Sequence, residues 1–370
     1  MRFALDEDQQ ELARTVRQVL DRRGEIAPPG PTEPYLHDGG LWTQLCEQVG
    51  VCALAVPEEY DGVGTSSFET HVVLEVLGGP LTPSPLLSTG VLTVQGLLAA
   101  VAHPGSAGEA ASDAAARILP AVAAGTASGT VVWAGLSNAG TDEAGALTAT
   151  RAEEWTLTGR VDLVLGSHTD VLLAVAATPE GPALFEVTGE VAWQPTTALD
   201  QSVEVAAVEL HATTATLLSD DPRAVRRLRM HATTAVTALQ VGGARAALGR
   251  TVDFLRQREQ FGRPLGSFQA LKHRVADLLV LVEAGRSASW SAAWAVAREA
   301  ADAERQTAVA KAWCSEAFTA VAGEMIQLHG GIAITWEHEA HRYFKRAHLT
   351  GQLLGTAREH RRTLLDRRSA

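Results

Sequence analysis

Two stretches decide how this chain is read: RQREQFGRPLGSFQALKHRVADL, residues 256–278, and QLHGGIAITWEHEAHRYFKRA, residues 327–347. Each is a helical pattern interrupted by glycine and carrying a cluster of Arg, Lys and His. Exposed backbone amides at such breaks, with Arg nearby, can hold a phosphate or pyrophosphate. A solvated basic helix face gives the same pattern, and at this level both readings stand.

Outward from these stretches, the helical period fills everything after SDDP (219–222). Residues 225–260 allow a helix of many turns, ADLLVLVEAGRSASWSAAWAVAREA a second and QTAVAKAWCSEAFTAVAGEMIQLHG a third. Two shorter helical patterns follow, WEHEAHRYFKRAHLTGQLLG and TAREHRRTLLDRR. Before residue 219 the period differs. TVVWAGL, LTATRA, EWTLTGRVDLVL, DVLLAVAA, PALFEV and EVAAVEL are short, β-branched and separated by turn residues, which predicts an antiparallel unit of about six to eight strands. The first third is helical again: Leu12, Val16 and Leu20 share one face of a helix that Asp6 or Asp8 can cap. PPGPTEP (28–34) and AVPEEYDGVGTS (55–66) read as loops, LWTQLCEQVGVCAL and FETHVVLEVLGGPL as helices. The Ala-, Gly- and Ser-rich residues 99–129 read as a small-residue helix followed by a linker.

This order is α+β and mostly α, not the alternation of a parallel sheet. It divides the chain into a helical N-terminal domain (1–128), a small antiparallel β-domain (129–219) and a C-terminal helical bundle (220–370). With 370 residues, 46% of them hydrophobic, the chain can bury a large core. The net charge of −12 argues against a nucleic-acid partner. Three cysteines without a CxxC pair indicate neither a disulfide framework nor a metal site. The first residues do not form a secretory signal, and no stretch approaches the roughly 20 apolar residues of a membrane span, so a cytoplasmic protein is expected.

No dinucleotide fingerprint is present. The glycines of QVGGARAALG (240–249) lie in a helical pattern with no strand before them, and read as close helix–helix contact. No HExxH or DxDxDG pattern occurs, and the two HATT segments (211–214 and 231–234) read as coincidence. Trp290 and Trp294 form a helical stripe that reads as packing. The basic tail (Arg342, Lys345, Arg346, Arg358, Arg361, Arg362, Arg367, Arg368) reads as a solvated or inter-subunit face, or as a surface attracting phosphate groups.

The pair RxQFGxPxxxFQ and QxHGG, in this order and at this separation, resembles the cofactor segments of the acyl-CoA dehydrogenase family. DEDQQEL, VPEEYDGVG, VLEVLGGPLTPSP, the central β-unit and LDQS (199–202) extend the resemblance over nearly the whole chain, and WEHEAHRYFKRA is most similar to actinobacterial members acting on sterol side chains or specialised metabolites, often as paired unlike subunits. The resemblance implies a helical domain, a β-domain and a C-terminal four-helix bundle, usually in a tetramer. It implies FAD, an acyl-CoA or acyl-carrier-protein thioester substrate, and neither metal nor membrane. Arg258 and Phe261, with Gln269 nearby, would reach the FAD of a neighbouring subunit. Gln327, Gly330 and Gly331 would meet its adenine and pyrophosphate half, and Thr356 would lie beside the cofactor of its own subunit.

The family's reaction takes a proton from the carbon α to a thioester carbonyl, which needs a base within hydrogen-bond reach. The usual Glu before a Gly-Thr pair is here Leu354, and the alternative position, on the first long helix of the bundle, falls at or beside Ala232, followed by Thr233 and Thr234. Gln240, two turns on, is not a base either. Where members often carry Trp-x-Thr beside the flavin ring, this chain has Leu163 and Leu165. SNAGTDEAG (137–145) matches the usual flavin loop only loosely, and Ala333 replaces a glycine often found after HGG. The catalytic residue is therefore unknown. Glu337 and Glu339 are the nearest carboxylates in sequence, although a helix capped by Thr335 explains acids there, and Asp142 and Asp200 are further options. Three functions follow: a subunit of a heteromeric dehydrogenase whose partner supplies the base, a self-sufficient dehydrogenase with a relocated base, and a non-redox cyclase, isomerase or binding subunit on the same fold.

Overall fold

A computed structural model describes residues 4–24, 37–136 and 146–366. PPGPTEP, SNAGTDEAG with Asp142, and Arg367 and Arg368 lie outside the described residues. Helices come first: α1 (Glu7–Arg23), α2 (Gly39–Gln44), α3 (Ser67–Gly78), α4 (Val94–Ala102) and α5 (Ala110–Ala123). Asp6 caps α1 in a reciprocal pair with Gln9. A π-helical segment, Leu87–Thr93, runs directly into α4. The small-residue stretch 99–129 does contain a helix, α5, whose Ala111, Ala115, Ile118, Leu119 and Val122 are buried in the largest core cluster. Small side chains there allow close packing.

Seven strands follow: β1 (Gly129–Val132), β2 (Leu147–Arg151), β3 (Trp155–Leu165), β4 (Val171–Thr178), β5 (Gly181–Val187), β6 (Ala192–Pro195) and β7 (Val205–Ser219). The sheet runs β1-β4-β2-β3-β7-β5, with β6 on β7, and a β4–β5 pairing closes it upon itself. It is mixed rather than wholly antiparallel, because β4 pairs in parallel with β1 and with β2. Alternation reveals a strand's faces but not its neighbour's direction. Inside the ring lies a separate core of Leu147, Leu157, Val161, Ala174, Phe185 and Val208. Gly159 sits at an irregularity in the β3–β7 ladder, and a Cβ there would lie 2.0 Å from the Ala146 carbonyl oxygen.

The C-terminal part contains α6 (Pro222–Gln257), α7 (Gln269–Ala297), α8 (Ala303–His329), α9 (Ala340–Gln352) and α10 (Ala357–Asp366). Asp221 accepts from the Arg223 amide at 2.8 Å and Pro222 opens α6, a strong start signal. α6 is buried around most of its girth because α3, α7, α8 and α9 all pack on it. The α3–α6 crossing requires glycine. A Cβ on Gly242 would lie 2.0 Å from the Glu75 carbonyl oxygen, and one on Gly78 would lie 2.6 Å from that of Leu239. Trp290 belongs to the core, its indole N–H donating to Glu75 at 2.6 Å, and Trp294 packs on the same cluster. Among the described residues no helix is long and apolar enough to cross a membrane.

Candidate functional site

The two opening stretches meet at the C-terminal end of α6 and α8. Phe254, one turn before the end of α6, stacks on His329 with ring centroids 4.2 Å apart, and His329 in turn faces His338 at 4.6 Å. α6 ends at Arg258, whose amide donates to the Phe254 carbonyl at 2.8 Å. The chain then forms a hairpin of β8 (Glu259–Gln260) and β9 (Arg263–Pro264). Its turn places Phe261 at φ 56° and Gly262 at φ 75°, the two left-handed residues that a tight hairpin turn requires. Phe261 consequently stands 88% exposed. Arg258, Gln269, Gln327, Gly330 and Gly331 are all exposed as well. Gly330 turns at φ 68°, and a Cβ on either glycine would meet nothing within 4 Å, so their backbone faces open space. Ile332, Ile334 and Trp336 are exposed beside them.

Thr356 lies elsewhere. Its amide and hydroxyl both donate to Glu359 at 2.8 Å, closing the first turn of α10. The turn before it is fixed by Lys311, which is fully buried on α8 and donates to the carbonyls of Gly351 (3.3 Å) and Gly355 (2.8 Å) and to Ser315 Oγ (3.0 Å). Gln240 donates to the same Ser315 at 3.0 Å. Burial pushes the Lys311 ammonium down to about 7. Lys311 precedes Gln327 along α8 by about 24 Å of helix. One chain therefore brings six of the seven expected cofactor residues to one end of the bundle and holds Thr356 far from them.

The base positions converge in space. Leu354 is 1% exposed, its amide donates to the Leu136 carbonyl at 2.8 Å, and its side chain joins Ala232, Leu136, Leu165 and Leu353 in one apolar cluster. Leu354 adopts φ 58°, a left-handed conformation that costs a branched residue roughly 1–2 kcal/mol. Leu163 packs against the same cluster. Thr233 is buried, and Thr234 reaches Thr307 at 3.3 Å.

Beside this cluster lies a cavity of about 80 Å³. Leu74, Leu77, residues 82–85, Leu87, Ser88, Leu165, Gly166, Leu239, Ser202, Glu204 and Arg346 are among its lining. Asp200 is not free to act as a base: one oxygen is held by Arg346, the other by the Ser202 amide (3.0 Å) and hydroxyl (2.5 Å). Arg346 is thus buried in an ion pair, not part of a solvated basic face, and Arg361 pairs with Glu316. Glu337 is exposed and outside the cavity lining, while Glu339 pairs with Arg250 at 2.9 Å. Thr335 does not cap α9. It bonds back to the Ile332 carbonyl at 2.8 Å, because the helix starts only at Ala340. Glu204, whose Oε1 accepts from Ser167, is the one carboxylate in the described cavity lining. Its position after LDQS (199–202) gave no signal in sequence. Among the described residues no group of three or more His, Cys, Asp or Glu forms a metal-binding arrangement.

The chain belongs to the acyl-CoA dehydrogenase family. The family's N-terminal domain matches residues 6–126 and its C-terminal domain residues 223–368, on either side of the sheet. It is 34% identical over 362 residues to the acyl-CoA dehydrogenase IpdE2 of Mycolicibacterium smegmatis, covering 97% of this chain and 98% of that protein. With IpdE2 of Mycobacterium tuberculosis the identity is 38% over 325 residues, covering 87% and 85%. Among solved structures it is similar to the ChsE4–ChsE5 complex of Mycobacterium tuberculosis (29% identity, TM-score 0.86, 100% and 99% covered). It is also similar to the Tcur3481–Tcur3483 steroid ACAD (31% identity, TM-score 0.82, 97% of each chain).

Membership implies FAD, and the residues fit it unevenly. The bundle end supplies what a dinucleotide needs, an exposed guanidinium, two exposed amides and open glycine backbone. Around the cavity, Leu163 and Leu165 offer apolar contact where an aromatic ring and a hydroxyl would otherwise flank the flavin.

Proposed function

We propose that this chain is an acyl-CoA dehydrogenase-type subunit of a heteromeric enzyme that desaturates an acyl thioester between Cα and Cβ, with the base supplied by an unlike partner. The observation that carries this reading is that Leu354 and Ala232, the two positions where a base would stand, lie in one closed apolar cluster, while six cofactor residues stand exposed at the far end of α8. In the assembly, FAD would accept the β-hydride. Arg258, Phe261 and Gln269, with Gln327, Gly330 and Gly331, would hold the FAD that the partner's ring pocket receives, and Thr356 would lie by the cofactor of its own subunit. The solved relatives that are named as two-protein assemblies, ChsE4–ChsE5 and the steroid ACAD Tcur3481–Tcur3483, support the pairing.

The test is purification alone and after co-expression with a second, unlike acyl-CoA dehydrogenase subunit. Alone, the protein should show little flavin absorbance and no turnover of acyl-CoA, and co-expression should bring both. Full activity of the isolated chain would sink the proposal.

A second reading, a self-sufficient enzyme, is favoured by one observation: Glu204 lines the cavity. Under it Glu204→Gln would abolish turnover with flavin still bound.

A further inference from the structure

A second, smaller cavity of about 20 Å³ continues the first along the α3–α6 seam. Leu74 lines both, and the π-helical segment contributes Leu87 and Ser88 to one and Gly90 and Val91 to the other. On α3 the lining runs Leu77, Leu74, His71, Thr70, Ser67, and on α6 it runs Leu239, Ala235, Thr234, His231. These are consecutive turns on one face of each helix. The far end therefore lies about 10 Å beyond Leu77. Its character changes along the way, from leucines to Thr70, His71, Gln95 and His231, all buried.

A proton count defines what this end lacks. Thr237 Oγ1 donates to the Thr234 carbonyl at 2.7 Å, so it must accept from Ser289 Oγ, also at 2.7 Å. Ser289 has then spent its proton and must accept from His71 Nε2 at 3.0 Å. His71 is accordingly the Nε2–H tautomer, and its Nδ1 is a bare acceptor. Burial pushes the His71 imidazole down to about 3, so it stays neutral. His71 Nδ1 and Thr70 Oγ1 are both buried without a hydrogen-bond partner, and each residue is 3% exposed. Leaving such groups unmet costs about 1–3 kcal/mol each. The space admits one oxygen-sized group. A hydroxyl can donate to Nδ1 and accept from Thr70, whereas a ketone oxygen cannot donate.

We propose that this cavity is the far end of the acyl channel and receives a hydroxyl group on the acyl tail, with Leu74 yielding to let the tail pass. The inference rests on the acyl-thioester reading above. It makes Thr70 and His71 specificity-determining residues for a hydroxylated acyl group.

Calorimetric titration of the co-expressed assembly with two CoA thioesters tests it: a medium-chain acyl-CoA and its ω-hydroxy derivative of equal length. The hydroxylated thioester should bind about tenfold more tightly, the worth of one well-made hydrogen bond to a buried group. Thr70→Val, which keeps the shape, and His71→Leu should each abolish that preference. Equal binding of the two thioesters by the wild type would overturn the inference and leave the cavity as a site for a structural water. Failure of both to bind would instead remove the acyl-thioester reading itself, and the inference with it.

Discussion

The two halves of α8 are built in opposite ways. At its C-terminal end, Gln327, Gly330 and Gly331 lie with Arg258, Phe261 and Gln269 on a surface left open, with Phe261 88% exposed on its hairpin turn. Near its start, Lys311 and Ser315 hold the 351–356 turn shut, and Leu354 is pressed into apolar core. Where the resemblance leads one to expect a base, this protein has packing. Its exposed residues lie at the other end of the helix. The difference teaches that an apolar residue at an expected base position is not a vacancy: it belongs to the core, so a carboxylate placed there has a large cost.

That cost is the largest effect expected. Leu354→Glu would bury an unpaired carboxylate beside Ala232, Leu136 and Leu165, and should destabilise the protein by about 3–5 kcal/mol at neutral pH in urea unfolding. Its folded-state pKa would lie above the unfolded value, so the deficit should grow as pH rises through that interval and shrink in acid. A loss under about 1 kcal/mol would break the comparison, because it would mean that the position opens to water or to a counter-charge.

The sequence made one of these regions far more legible than the other. RxQFG and QxHGG lie in exposed turns, where glycine and left-handed residues leave a local signature that needs no knowledge of packing. The order of helices, strands and helices was likewise visible in the change of period, and Gly242 in its helix pointed to the crossing that the structure requires. What could not be read depends on contacts distant in sequence. Ala232 and Leu354 belong to one cluster only after folding. Arg346 seemed part of a basic tail until Asp200 was found to bury it. Glu204, Thr70 and His71 carry no motif, since each matters through the cavity it faces. Strand direction failed for the same reason, because β4 pairs with β1 across some forty residues.

Lys311 offers an intermediate effect that sharpens the picture of the closed half. Its folded-state pKa of about 7 lies below the ordinary lysine value of 10.5, so between these values the unfolded chain holds a proton that the native chain lacks. Stability must then rise with pH across this window, with the full penalty present below about 7. Lys311→Met should remove that rise. The wild type minus variant difference should widen by about 2 kcal/mol between neutral and alkaline pH, after allowance for relaxation around a buried amine. Parallel pH profiles for the two proteins would show that Lys311 is already solvated, and that the 351–356 turn is looser than the two hydrogen bonds it accepts from Lys311 imply.

The smallest effect on the chain itself belongs to the open half. Arg258 is exposed and makes its helix-ending hydrogen bond through the backbone, so Arg258→Ala should leave the unfolding midpoint of the isolated protein unchanged within about 0.5 kcal/mol. In the co-expressed assembly, the same substitution should weaken FAD retention by about tenfold or more, as expected for losing one charge-assisted hydrogen bond to a phosphate. Flavin absorbance after gel filtration would read this directly. A stability loss in the isolated chain would show that the guanidinium is committed to this chain's own structure. If the assembly retained all its flavin, the bundle end would be a contact between subunits and not a cofactor site, and the open half of α8 would need a different occupant.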